Sequence, residues 1–131
     1  MKKGILIITL FLASVGLYAQ KNNVEVLYFK AELACCQATA CNNLESEIKS
    51  IVEKNFPSEN VTFKQVSLVN DANKALVSKY NAKSQTVVLV TTKNGKESSI
   101  DVSDIVRKYV RNENKKAFEK SMIEKIKESL N

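Results

Sequence analysis

Four segments of the chain show the hydrophobic patterns that predict β-strands. The first and third are apolar at successive positions, which is typical of strands buried on both faces inside a sheet. The second is rich in β-branched residues, but its alternation slips near Gln65, which predicts a bulge or an early strand end. Asn94-Gly95 between the third and fourth is the favoured two-residue turn of an antiparallel hairpin. The four predicted strands cover residues 24–29, 61–69, 86–91 and 96–102.

Three other segments repeat apolar residues at the helical period. The first is amphipathic and stops at Pro57. The second is short, and Asn70-Asp71 before it supplies side chains that can cap a helix N-terminus. The third loosens at residues 112–114 and then continues to the end of the chain. The predicted helical segments cover residues 44–56, 72–80 and 103–130.

The predicted order is strand, helix, strand, helix, strand, strand, helix. Two right-handed crossovers followed by a hairpin and a covering helix give an α/β fold, with a four-stranded mixed sheet and helices on both faces. This arrangement resembles the thioredoxin-like superfamily. Open α/β sheets place their working groups beyond the carboxyl ends of the strands. We therefore expect the functional residues in the loop after the first strand.

The N-terminal segment has the pattern of a secretory signal peptide. A basic start precedes an apolar run over residues 5–15, which leads into a segment that resembles a processing site. We predict residues 1–19 as the signal peptide, residues 20–131 as a single domain, and export to the periplasm or beyond the cell. An uncleaved anchor is the alternative, but the run is shorter than the roughly 20 residues that a spanning helix needs. No later stretch is expected to span a membrane.

Charge and composition exclude several classes of function. The chain carries 20 Lys and Arg against 14 Asp and Glu, but the lysines alternate with glutamates as on solvated helix surfaces. No platform of aromatic and basic residues accompanies them, so nucleic-acid binding is not expected. The chain contains no histidine. That excludes Ser-His and Cys-His catalytic centres and any metal site with histidine ligands.

The candidate chemistry lies in the three cysteines of the chain, Cys35, Cys36 and Cys41, which follow the first strand. An odd number in an exported chain leaves at least one thiol without an intrachain partner. A helix is predicted to start within this segment or just after it, and helix N-termini favour thiolates over thiols. Thiolates are nucleophiles and soft-metal ligands, so all three cysteines are predicted site residues.

Three sulfur atoms without histidine suit a soft, three-coordinate guest. As(III), Sb(III) and Cu(I) meet this description. Zn(II) ranks lower because it needs a fourth ligand, for which only Glu32, Glu45 or water is at hand. No resident cofactor is required. The structural alternative is a disulfide from Cys41 to Cys35 or Cys36, since a bond between the adjacent pair is strained.

The segment 35–41 reads Cys-Cys-Gln-Ala-Thr-Ala-Cys. It resembles the vicinal cysteine pair and third cysteine of the ArsD family, cytosolic arsenite metallochaperones with a thioredoxin-like fold. In that family the three thiolates bind As(III) or Sb(III) and pass it to an efflux ATPase. The resemblance implies ligand roles for Cys35, Cys36 and Cys41. Because export would separate this chain from a cytosolic ATPase, a different acceptor or simple sequestration is expected.

A second resemblance lies in residues 24–29, residues 73–80 and the terminal helix around Phe118. These segments are similar to small exported thioredoxin-like proteins of the ArsF type, and the resemblance covers nearly the whole mature chain. Members of that group typically have a CxxC pair after the first strand, and here Ala38 stands where the second cysteine would be. Thioredoxin-like oxidoreductases also usually have a cis-proline before the third strand, where this chain has Ser-Gln-Thr at residues 84–86.

Two hypotheses of different classes follow. The preferred one is a binding module that holds a soft metal or metalloid ion, or transfers it to the thiol of a partner protein. The alternative is an enzyme, a thiol-disulfide oxidoreductase of the cell envelope, in which Cys35 or Cys36 attacks a disulfide and Cys41 resolves the mixed disulfide. The adjacent cysteine pair, Ala38 and the missing proline favour metal binding. No oligomeric state is predicted.

Overall fold

The computed structural model describes residues 21–32, 35–57 and 60–131. The predicted signal peptide, residues 1–19, lies outside the described residues, so both it and the domain boundary stay predictions. In the described ranges, no helix combines the length and the apolar character that crossing a bilayer requires.

The strands and helices follow the predicted order, and the last helical region is divided in two. The division falls at Glu113, whose left-handed backbone (φ 52°) ends the first of the two helices. Asn114 then caps the second, since its side chain accepts a hydrogen bond from the N–H of Ala117 at 3.0 Å. The elements are β1 (Asn23–Lys30), α1 (Cys35–Asn55), β2 (Val61–Ser67), a 3₁₀ turn (Asp71–Asn73), α2 (Lys74–Lys79), β3 (Val87–Lys93), β4 (Lys96–Asp101), α3 (Ser103–Asn112) and α4 (Lys115–Leu130).

The four strands form one mixed sheet in the order β2-β1-β3-β4. The central strand β1 pairs parallel with β2 and antiparallel with β3, and β3 pairs antiparallel with β4. Asn94 and Gly95, which join β3 to β4, both have positive φ, 51° and 74°. That is the conformation a two-residue hairpin turn requires, and the predicted hairpin is confirmed.

The sheet divides the hydrophobic core into two clusters. Val26 and Tyr28 of β1 belong to the larger one, which α1, α3 and α4 cover. Leu27 and Phe29 belong to the smaller one, against which Leu76 of α2 and its neighbours pack. The apolar run of β1 is therefore buried on both faces, as predicted. With helices on both faces of a four-stranded mixed sheet, the chain has the expected α/β, thioredoxin-like fold.

The predicted second strand is shorter than expected, because β2 ends at Ser67. Its parallel register with β1 is continuous over the whole described strand, so the slip near Gln65 is an early end and not a bulge. Val61 packs in the larger core cluster and Val66 in the smaller one. The two ends of this edge strand thus bury side chains on opposite faces, which blurs the alternation in the sequence.

Candidate functional site

The cysteine segment lies at the carboxyl end of the central strand. β1 ends at Lys30 and α1 begins at Cys35, so Cys35, Cys36 and Cys41 are the first, second and seventh residues of that helix. The predicted helix start within this segment is confirmed. The cysteine side chains lie outside the described residues, so their roles as metal ligands or redox thiols stay predictions.

The helical backbone sets the distances between the cysteines. In an α-helix, the Cα atoms of Cys36 and Cys41 are about 9 Å apart, and those of Cys35 and Cys41 about 10 Å. A disulfide needs Cα atoms about 4.4–6.8 Å apart. A partner three or four residues away would meet this limit on a helix, but Ala38 occupies the position three residues after Cys35. While α1 is helical from Cys35, neither disulfide with Cys41 can close.

Two loops reach the same end of the sheet. The N–H of Leu68, just after β2, donates to the backbone oxygen of Lys30 at 2.9 Å. From the other side, the N–H of Gln85 donates to the oxygen of Phe29 at 3.0 Å. Val69 follows Leu68 and is 64% exposed. The cysteine segment is therefore flanked by the loop that follows β2 and the loop that precedes β3.

The loop before β3 contains a strained residue. Gln85 has φ 65°, a conformation that residues other than glycine, asparagine and aspartate seldom adopt. It lies in a tight turn, in which the N–H of Thr86 donates to the oxygen of Lys83 at 3.1 Å. No cis peptide bond occurs in the described residues. Sequence reasoning noticed the missing proline but not this residue, because glutamine carries no signal for a left-handed backbone.

An ion pair joins the end of β1 to the third turn of α1. Lys30 Nζ lies 2.6 Å from Glu45 Oε2, and the two side chains are only 25% and 21% exposed. Partial shielding from water makes such a pair stronger than one at the open surface. Glu45 was a sequence candidate for a fourth zinc ligand, but here its carboxylate is engaged by Lys30. The pair anchors α1 to β1 four residues beyond Cys41.

Another polar cluster lies between α1, α3 and α4. Glu47 Oε1 is 3.4 Å from Lys115 Nζ, while Glu47 Oε2 is buried without a hydrogen-bond partner among the described atoms. Hydrogen bonding to the Glu47 carboxylate, together with removal from water, raises the pKa of Tyr109 to about 12. The Tyr109 ring stacks on Phe118 with centroids 4.4 Å apart. Tyr109 therefore stays protonated at neutral pH, and we assign this cluster a structural role.

Acidic side chains do not form a competing metal centre in the part of the chain that the structure describes. No three metal-ligating groups gather there closely enough to hold an ion. The cysteine segment, whose side chains are not part of that set, therefore remains the candidate site.

Comparison with known proteins yields partial similarity to two solved structures and no sequence match. No protein-family model and no curated protein sequence matches the chain. A thioredoxin from Thermus thermophilus, determined in solution, is similar with 15% identity, coverage of 68% of this chain and 72% of that one, and a TM-score of 0.46. A malarial protein is similar with 24% identity, coverage of 68% and 94%, and a TM-score of 0.39.

Proposed function

We propose that this protein binds a soft metal or metalloid ion, namely As(III), Sb(III) or Cu(I), through Cys35, Cys36 and Cys41. One observation carries the proposal: all the cysteines of the chain lie in the first seven residues of α1, directly after the central strand. A chain that needed only one structural disulfide would not require a third thiol in the same segment. Three thiolates in one segment can instead serve one guest.

The chemistry of the donor set selects the guest. Thiolate sulfur is a soft ligand, and the chain has no histidine that would favour harder or borderline ions. With As(III), arsenous acid and three thiols form three As–S bonds and release three water molecules. Each thiol proton leaves in one of these waters, and arsenic stays trivalent, so no oxidant or reductant is needed.

The position on α1 favours the thiolate, which is the nucleophilic and metal-binding form of a cysteine. The first four N–H groups of a helix have no partner within the helix, and they lie at the positive end of its dipole. The first turn of α1 contains no acidic residue that would offset this field. Cys35 and Cys36, the first two residues of the helix, therefore lie where negative charge is stabilised.

A partner thiol is the proposed destination of the guest. The resemblance of segment 35–41 to the ArsD metallochaperones supports transfer, and the resemblance of the chain to exported ArsF-type proteins supports a place in the cell envelope. If residues 1–19 direct export, the acceptor is an exported or membrane protein with accessible cysteines. Thiolate exchange at the metalloid would move the ion from one sulfur set to the next without a change in oxidation state.

The second candidate is a thiol-disulfide oxidoreductase. The observation in its favour is that the cysteines begin the helix that follows the central strand of a thioredoxin-like fold. Against it, alanine stands at position 38, where a CxxC pair would have its second cysteine, and residues 84–86 before β3 contain no proline. The metal-binding proposal is therefore preferred.

Native mass spectrometry of the reduced protein tests the proposal. Added arsenite is expected to give one arsenic per chain, and each of Cys35→Ser, Cys36→Ser and Cys41→Ser should weaken binding at least tenfold. Ala40→Ser is the matched control, because it adds the same hydroxyl to an exposed position of the same segment without removing a thiol.

Two outcomes would overturn this assignment. Binding that survives each single cysteine change would show that the three thiols do not act together. Failure to bind arsenite, antimonite or Cu(I), combined with turnover of a test disulfide by the oxidised protein, would favour the oxidoreductase.

A further inference from the structure

The described side chains of α1 change from exposed to buried partway along the helix. Leu44 is the first residue of α1 with a buried side chain among those that the structure describes. Before it, the described side chains of Ala40, Asn42 and Asn43 are exposed. After it, Ile48 and its neighbours Ile51 and Val52 are buried in the larger core cluster. Among the described side chains of α1, packing against the core therefore begins at Leu44.

The Lys30–Glu45 ion pair marks the same boundary. It ties the helix to the end of β1 at the residue next to Leu44, with 2.6 Å between Lys30 Nζ and Glu45 Oε2. The seven residues from Cys35 to Cys41 precede both this tether and Leu44, the first described buried residue of α1. Local structure with few buried contacts opens at lower free-energy cost than the packed core.

The sequence at this boundary contains residues that favour a second helix start. Asparagine is among the best N-cap residues, and Asn42 and Asn43 precede Leu44. If Asn42 is the cap, Glu45 falls at the third helical position, where its negative charge complements the helix dipole. The start at Cys35 has no acidic residue in its first turn. The shorter helix would therefore begin with better capping than the longer one.

The three cysteines can bind one ion together only if the helix begins at this second start. On the helix, the Cα atoms of Cys36 and Cys41 are about 9 Å apart, and those of Cys35 and Cys41 are about 10 Å apart. We propose that α1 is a two-state element: it begins at Cys35 in the free reduced protein and at Asn42 or Asn43 when the three thiols hold an ion. Guest binding unwinds residues 35–41 and leaves the packed helix in place. This inference rests on the proposed function.

Hydrogen exchange and circular dichroism with and without one equivalent of arsenite test the two-state element. Binding is expected to remove helical signal equivalent to about the first seven of the 21 residues of α1. Amide exchange should rise at least tenfold for residues 39–43, whose N–H groups are the first that the long helix protects. Residues 48–55 and α4 should keep their protection.

The two possible failures are distinguishable. Binding of one arsenite with unchanged helicity and exchange would overturn the two-state element and leave the proposed function intact. Absence of binding to the reduced protein would overturn both.

Helix propensity supplies a second, independent measurement. Ala40→Gly disfavours the long helix without removing a thiol, so it should tighten arsenite binding about threefold to fivefold. Ala117→Gly is the matched control, because Ala117 is also an exposed helical alanine, on α4. The affinity of Ala117→Gly for arsenite should equal that of the wild type. Weaker binding by Ala40→Gly, or equal affinity in both variants, would contradict the proposal.

Discussion

Lys30 Nζ lies 2.6 Å from Glu45 Oε2 and joins the end of the central strand to the helix that carries the cysteines. The two residues are 15 positions apart in sequence, and neither side chain is more than a quarter exposed. This pair has consequences for stability that an exposed pair would not have, because water screens it less.

We expect Lys30→Met and Glu45→Gln each to lower the free energy of unfolding by about 1 kcal/mol. The double variant should lose less than the sum, with a coupling energy of about 0.5–1 kcal/mol measured by urea denaturation in a double-mutant cycle. The exposed pair Lys49–Glu53, at 3.8 Å, is the matched control and should show at most about 0.5 kcal/mol. Equal coupling in the two pairs would show that partial burial adds nothing.

We expect proline at position 85 to destabilise the fold, although thioredoxin-like oxidoreductases usually have a proline near this position. Gln85→Pro should lower stability by about 3 kcal/mol or more, because proline cannot adopt φ 65° and has no N–H to donate to Phe29. Gln85→Gly, which suits the left-handed backbone and keeps the N–H, should stay within about 1 kcal/mol of the wild type. Thermal and urea unfolding of both variants measure this. A proline variant as stable as the glycine variant would contradict the observed geometry.

Ser103 is expected to contribute more to stability than its size suggests. Its hydroxyl accepts a hydrogen bond from the N–H of Val87 at 3.0 Å, and both residues are buried. Ser103→Ala leaves this N–H buried without a partner, which should cost about 1–3 kcal/mol in urea denaturation. Ser98→Ala on exposed β4 is the control and should change stability by less than about 0.5 kcal/mol.

Tyr109 is expected to ionise late in an alkaline titration. Its ordinary pKa near 10 is raised to about 12, so the folded state holds this proton more tightly than the unfolded state. The stabilisation of the folded state by this proton is complete below pH 10 and is lost as the pH rises from 10 towards 12. Ultraviolet difference spectroscopy should show a delayed phenolate signal that moves to lower pH in Glu47→Gln.

A control on the same helix separates this effect from general changes in charge. Glu53→Gln removes an exposed carboxylate from α1 and should leave the delayed tyrosine signal unchanged. If both variants shift the signal equally, the Glu47 carboxylate is not its cause.

The order of elements could be predicted from sequence because the strongest patterns arise from burial. The strands β1 and β3 are apolar at successive positions because helices cover both faces of the sheet. The helical period begins at Leu44, which packs in the larger core cluster. The apolar period could not locate the start of α1 at Cys35, because residues 35–43 contain no apolar repeat at helical spacing. Segment 35–41 is predicted as a site from its residue types alone.

Other features depend on contacts that no local pattern encodes. The Lys30–Glu45 pair joins residues from two elements, and many other lysines and glutamates could have formed it. The left-handed backbone of Gln85 is imposed by the turn that returns the chain to β1. The half-buried carboxylate of Glu47, with its Oε2 atom buried, lies where three helices meet, and its sequence neighbourhood is typical of an ordinary solvated face.

One face of the sheet is covered by three helices and the other by the short helix α2, and this difference affects local unfolding. The smaller core cluster lies under α2, a six-residue helix in which no residue is fully buried. Such a cover should open by local unfolding at a free energy well below that of the whole domain. Native-state hydrogen exchange would detect this as low protection of α2 beside high protection of β1. Each opening would expose Phe29, next to the end of β1, and with it an apolar surface close to the cysteine segment.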